Sequence, residues 1–170
     1  VKQALYLLLV FGLVPIQTTV LTYAGLGGVR PDLCLVAAIL VGFFAGELDG
    51  LLLGLVLGFV QDLFSAGELG LNLVAKGSAG FLAGMAGRYV TNTTPITVLT
   101  TVFGLSLLSG TVFLLTVGAG GLAGVSFAIW SVLLPQALWD AALGGGGYWL
   151  VARYIRREQA ILEGPTGWDR

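Results

Sequence analysis

Asp62, Asn72 and Lys76 interrupt a chain that is otherwise a succession of apolar runs, with Asn72 one helical turn ahead of Lys76. A carboxylate and an ammonium in such surroundings could relay a proton, conduct an ion or support a Ser–Lys dyad. An ionised group at the middle of a bilayer costs roughly 2.5–3.5 kcal/mol on insertion scales, which makes function the first hypothesis for it. The competing reading is structural. In GFVQDLFSAGELGLN, Gln61 and Asp62 close one apolar segment, Ser65-Ala66-Gly67 turn the chain, and Gly70-Leu71-Asn72 open the next. An acid at the membrane surface costs little and caps such a turn, and if Asp62 and Lys76 share one side of the membrane a direct ion pair neutralises both. The spacing therefore predicts an Asp62–Lys76 pair, with Asp62 and Asn72 holding two helix ends in register.

Other chemistry finds little support. The chain has no histidine, so Ser106, Ser109 and Ser126 could act only with a lysine base, and the sequence places Lys76 near no serine but Ser78. An aspartyl pair of Asp62 with Asp140 would need side chains that approach opposite faces. Neither a G-x-x-x-x-G-K-[ST] loop nor an HExxH helix occurs. Cys34 is the single cysteine, which excludes an internal disulfide and the usual His/Cys metal clusters. We expect no enzyme activity, no cofactor and no metal.

Composition sets what must position these groups. Of 170 residues, 56% are hydrophobic and 10% charged, with mean hydropathy +0.95. Soluble domains carry about 25% charge, and runs of ~20 apolar residues mean transmembrane helices. The net charge of −1, with scattered basic residues, leaves no nucleic-acid footprint. The prediction is an all-α membrane protein of six transmembrane helices with very short loops: a single domain over residues 1–157 and a short polar tail over 158–170.

Helix one is predicted at Ala4–Tyr23, kinked at Pro15, with Gln17, Thr18 and Thr19 as interhelical hydrogen-bonding partners. Arg30, Pro31 and Asp32 start helix two at Leu33–Gly46, Pro31 in its first turn and Asp32 at its positive dipole end. Glu47 and Asp49 form the turn to helix three, Leu51–Phe64. Helix four runs from Leu69 to Arg88, helix five from Ile96 to Val117, and helix six starts near Val125. Pro135 and the glycine run Gly144–Gly147 predict that helix six is broken or kinked.

Gly42, Gly46, Gly50, Gly54 and Gly58 recur at every fourth position. On helices this spacing makes flat faces along which another backbone approaches closely, the small-xxx-small packing of membrane proteins. The first expectation is that they close helices two and three onto each other; the second is that one face is left for a partner helix. Orientation follows from basic residues. Six spans put Lys2, Arg88, Arg153, Arg156, Arg157 and Arg170 on one side, which predicts cytoplasmic termini and an outward Ser65–Gly70 turn. The loop sequence Asn92-Thr93-Thr94 would then face the cytoplasm, so its glycosylation pattern is read as chance.

Residues 50–84, GLLLGLVLGFVQDLFSAGELGLNLVAKGSAGFLAG, resemble the bacterial rod shape-determining MreD family. That family has a glycine-bearing helix ending in Gln-Asp-Leu, a short turn, and Gly-Leu-Asn opening the next helix, matched here by Gln61, Asp62, Leu63, Gly70, Leu71 and Asn72. Arg30-Pro31-Asp32-Leu33 resembles the family's start of its second helix. The resemblance implies a bundle similar to the S components of energy-coupling-factor transporters and a non-enzymatic, multi-pass inner-membrane scaffold of the cell-elongation complex that builds peptidoglycan. It would act with the single-span protein MreC, and with MreB filaments and RodA with its transpeptidase. The alternative is a substrate-binding subunit of a vitamin-type transporter, for which the outward residues Tyr23, Arg30, Asp32, Glu68 and Asn72 are a thin set.

Overall fold

The computed structural model describes residues 2–20, 29–64, 70–90, 93–117 and 121–162. Tyr23, the Ser65–Gly67 turn, Glu68, the helix start expected at Leu69, Asn92, the turn at 118–120 and the tail from 163 lie outside the described residues.

The elements among the described residues are all helices. Helix α1 (Lys2–Pro15) continues through a wide π turn, Ile16–Val20. Then follow α2 (Leu33–Ala45), α3 (Glu47–Phe64), α4 (Leu71–Tyr89) and α5 (Pro95–Val117). Helix α6 runs as Gly121–Ala128, a second wide turn at Ile129–Leu133, and Leu134–Leu162. Among the described residues, two stretches are long and apolar enough to cross a membrane, Pro95–Thr116 and Gly124–Leu150; α1 and α2 contribute the shorter apolar stretches Leu9–Thr19 and Leu33–Ala45.

At 13 residues, α2 is about 20 Å long at ~1.5 Å per residue, shorter than a ~30 Å hydrocarbon core, a mismatch that local thinning or polar helix ends can meet. It can be short because it is the hub. One face packs Leu35, Val36, Ile39 and Phe43 against Ala79, Ala83, Val98 and Val102 of α4 and α5. The other sets Cys34 against Val14, Leu53 and Leu57 of α1 and α3. Apolar side chains such as Phe11, Leu48, Phe127 and Trp130 point outward, each at least two-thirds exposed.

The expected closure of helices two and three is seen at one pair, where a Cβ at Gly50 would run into the Gly42 Cα, but the glycine faces serve chiefly another helix. A Cβ added at Gly42 or Gly50 would run into the Gly80 carbonyl, at Gly54 into the Lys76 carbonyl and at Gly58 into the Asn72 carbonyl. Their main neighbour is thus α4, which presents Gly77, Gly80, Gly84 and Gly87 in return. Gly46 is the exception: it links α2 to α3 at φ +110°, and a Cβ added there would meet open space, so it is the corner that calls for glycine at this position. Glycine permits that positive φ at little cost. Because α3 begins directly after this corner, Glu47 and Asp49 occupy its first turn instead of forming a loop.

Helix six also departs from expectation. It runs unbroken through Gly144–Gly147; Cβ atoms there would crowd Val102, Leu99 and Leu40, so the run lets α6 lie close against α5 and α2. The irregularity sits upstream, in the wide turn before Pro135. Proline removes an i→i−4 hydrogen bond and crowds the preceding carbonyl, and π turns are one way a helix absorbs this. In α1 a wide turn instead comes after the proline, Ile16–Val20 following Pro15.

Candidate functional site: a buried polar network beside a cavity

The end of α3 and the start of α4 are held together by one carboxylate. Asp62, on the last turn of α3 and 3% exposed, accepts four hydrogen bonds from the start of α4. Its Oδ2 takes the backbone N–H of Gly70 (2.9 Å) and Leu73 (3.1 Å). Its Oδ1 takes the backbone N–H of Asn72 (3.2 Å) and the Asn72 side-chain amide (2.8 Å). The first N–H groups of a helix have no intrahelical acceptor, and a negative charge also suits that end of the dipole. Gly70, the residue before α4, cannot cap with a side chain and sits at φ +105°. Asp62 therefore caps α4 from across the turn. Gln61 lies beside it, half-buried on α3.

Lys76 is 2% exposed, and its ion-pair partner is not the predicted Asp62. Lys76 Nζ lies 2.7 Å from Asp32 Oδ2 and donates to Asn72 Oδ1 at 2.9 Å. The reason is directional: Asp62 is saturated by the helix end it caps, and the Asn72 amide bridges it to the lysine. Asp32 in turn is the N-cap of α2, accepting the Leu35 N–H at 3.0 Å through Oδ1. Pro31 stands just outside the helix. Arg30, next to it in sequence, is exposed.

The network continues into α5 and α6, which the motif spacing does not connect to it. The Asp32 backbone N–H donates to Asp140 Oδ1 at 2.8 Å, and the Ser106 hydroxyl donates to Asp140 Oδ2. Asp140 is wholly buried. From α1, Gln17 braces the same corner with both ends of its amide: Nε2 donates to the Pro31 carbonyl (3.0 Å) and Oε1 accepts the Leu33 N–H (2.9 Å). Thus Asp62, Asn72, Lys76, Asp32, Asp140 and Ser106 form one connected series crossing α3, α4, α2, α6 and α5. Asp140 and Ser106 carried a signal of their own. A lone acid within an apolar stretch needs an internal partner, and residue 106 falls at the middle of α5.

Against this network lies a cavity of about 280 Å³ between α2, α4, α5 and α6. Asp32, Asn72, Lys76 and Ser106 form its polar side, with Ser109 and Gln136 nearby; Leu35, Phe113, Leu114, Val132 and Leu133 supply apolar wall. The arrangement holds rather than reacts. The Ser106 hydroxyl donates its hydrogen bond to Asp140, the Lys76 ammonium is fixed between Asp32 and Asn72, and each carboxylate is committed to a helix end or hydroxyl. Among the described residues, no group of three His, Cys, Asp or Glu could hold a metal.

The opposite end of the hairpin is built from surface interactions. Arg88 pairs with Glu47, Tyr148 stacks on Phe44 with ring centroids 6.0 Å apart and donates to the Thr93 carbonyl at 3.1 Å, and Arg153 lies over the Trp149 ring at 5.1 Å. Comparison with known proteins gives one match. The family model for rod shape-determining protein MreD covers residues 2–157; no curated protein and no solved structure matches. The chain belongs to the MreD family, a family of membrane proteins with a role in rod shape determination.

Proposed function

We propose that this member of the MreD family is a non-enzymatic scaffold of the inner-membrane complex that elongates rod-shaped cells, spanning the bilayer six times with both termini cytoplasmic. The observation that carries this reading is the commitment of the buried network. Its charged groups are spent on capping α2 and α4 and on tying α5 and α6 to them. Such a site fixes the shape of a bundle. The partner is an MreC-like single-span protein, through which, or beside which, MreB filaments and RodA with its transpeptidase are reached.

The glycine faces of α3 and α4 are filled by each other, so a partner helix meets side chains on the lipid-facing surface. Leu48, Leu52, Val56, Phe59 and Leu63 form one exposed line along α3, with the spacing of a single helical face. Photocrosslinkers placed in cells at Leu52 and Phe59, and at Phe127 on α6 for comparison, test the reading beside cell width. The expected result is recovery of a single-span protein from the α3 positions above the α6 background. Recovery of no partner from any position, with tight binding of a vitamin-like solute to the purified protein, would replace the scaffold by a transporter subunit. A reporter fused after Arg170 should read cytoplasmic and one inserted at Gly67 periplasmic; finding both on one side would sink the six-span topology.

A further inference from the structure

We propose that the cavity between α2, α4, α5 and α6 is a binding site for a neutral, oxygen-bearing amphiphile: a short alkyl chain ending in a carbonyl or hydroxyl. The size sets the first limit. At about 280 Å³, it is close to the lower bound of small-ligand pockets and takes about nine groups of the ~30 Å³ that one water occupies. A whole phospholipid does not fit, whereas one stretch of chain does.

The lining sets the chemistry. A lysine ammonium carries three donors, and Lys76 spends two, on Asp32 and Asn72. Ser109 and Gln136 also line the cavity, and among the described residues the side chain of neither makes a hydrogen bond within the protein. The groups left to recognise a ligand are therefore the third Lys76 N–H, the Ser109 hydroxyl and the Gln136 amide, the last two able to donate or accept, a set that suits a neutral oxygen group such as a carbonyl or hydroxyl. Charge decides what kind. Lys76 is already neutralised by Asp32, with Asp62 one amide behind it and the Asp140 carboxylate behind Ser106. A carboxylate or phosphate entering here would face acids without a free cation, and a cation would find its best acceptors committed. Phe113, Leu114 and Leu133 offer an apolar wall to an alkyl chain. The wide turn Ile129–Leu133 precedes Pro135 and shapes this wall of α6; π turns of this kind are frequent at functional sites.

The occupant can be the ester-linked part of a bilayer lipid chain or a free solute of the same chemistry, and one experiment separates them. The full chain is placed in nanodiscs of diether phospholipid, which lack ester carbonyls. It is then photolabelled with a diazirine-bearing straight-chain alcohol of about nine carbons, or with its carboxylate or amine counterpart. The expected result is saturable labelling of the α5 and α6 walls by the alcohol, and labelling about tenfold weaker with either charged probe. Ser109→Phe, which fills the cavity, should abolish it. Gln136→Leu, which keeps the bulk but removes a donor, should weaken it by a few-fold to tenfold at unchanged thermal stability. Equal labelling by all three probes, or saturable labelling that survives Ser109→Phe and is indifferent to Gln136→Leu, overturns the proposal. Repeating the alcohol labelling in diester nanodiscs assigns the source: competition by the diester bilayer identifies a lipid chain, and undiminished labelling identifies a solute. None of these readouts depends on partner recovery, so the site and the scaffold reading stand or fall separately.

Discussion

The α3–α4 hairpin uses opposite charges at both ends, and the two ends could hardly be less alike. At the Asp62 end Asp62 is 3% and Lys76 2% exposed. Neither is paired with the other, and each is satisfied by several partners drawn from other helices or helix ends. At the Glu47 end Glu47 and Arg88 make a direct pair, with side chains 23% and 65% exposed. Water can stand in for either partner at the exposed end, and nothing can at the buried one. Burial converts the same residue types from ornaments into a connected frame, because each buried charge must be paired and its remaining donors and acceptors met. Between the ends, glycines let the two helices touch backbone to backbone.

Mutations that break the buried frame should therefore cost most. Asp32→Ala removes the N-cap of α2 and leaves the Lys76 ammonium buried without its carboxylate. A loss of about 3–5 kcal/mol is expected for breaking a buried pair, read as collapse of membrane abundance and of thermal stability in mild detergent. Gly54→Leu strikes the Lys76 backbone carbonyl, where no side chain can yield. Overpacking of this kind costs about 1–3 kcal/mol or more, and Gly54→Ala already should lower the melting temperature. Asp62→Ala strands the first N–H groups of α4, at about 1–3 kcal/mol for unsatisfied buried donors; Asp62→Asn, which keeps an acceptor, should cost less in the same assay. Smallest of all is Arg88→Ala at the exposed end. Below about 1 kcal/mol is expected, shrinking further with added salt, and a large salt-insensitive loss there would erase the contrast between the ends.

Much of this frame was legible in the sequence, for identifiable reasons. Long apolar runs announce helices, Pro31-Asp32 announces the start of α2, and the Asp62…Gly70-Leu71-Asn72 spacing announces a shared turn. The pairing of Lys76 was not legible. Sequence proximity favours Asp62, whereas the choice of Asp32 depends on how α2 lies against α4, a tertiary fact. For the same reason Asp140 and Ser106, 34 residues apart, could not be joined to Asp32 from spacing alone. Glycine periodicity revealed close-packed faces but not their partner, since Gly42 and Gly50 fit any approaching backbone and α4 supplies it. Gly144–Gly147 misled because glycine lowers helix propensity, yet packing against Val102 and Leu99 overrides so weak a preference. The family match is consistent with the motif reading over nearly the whole chain.

The central claim is that the charges at positions 32 and 76 serve each other and the fold, and a double-mutant cycle tests it most directly. Asp32→Asn keeps the cap acceptor of α2 while removing its charge, and Lys76→Met removes the ammonium while keeping most of the bulk. Stability and cell width would be measured for each variant and for the pair together. Each single change should lower abundance and impair shape. The double variant should recover much of both, with a coupling of about 2 kcal/mol, within the range found for residues in contact. Two single variants that fold at wild-type stability yet lose shape control, with no rescue in the pair, would contradict the claim and give these charges a direct functional role.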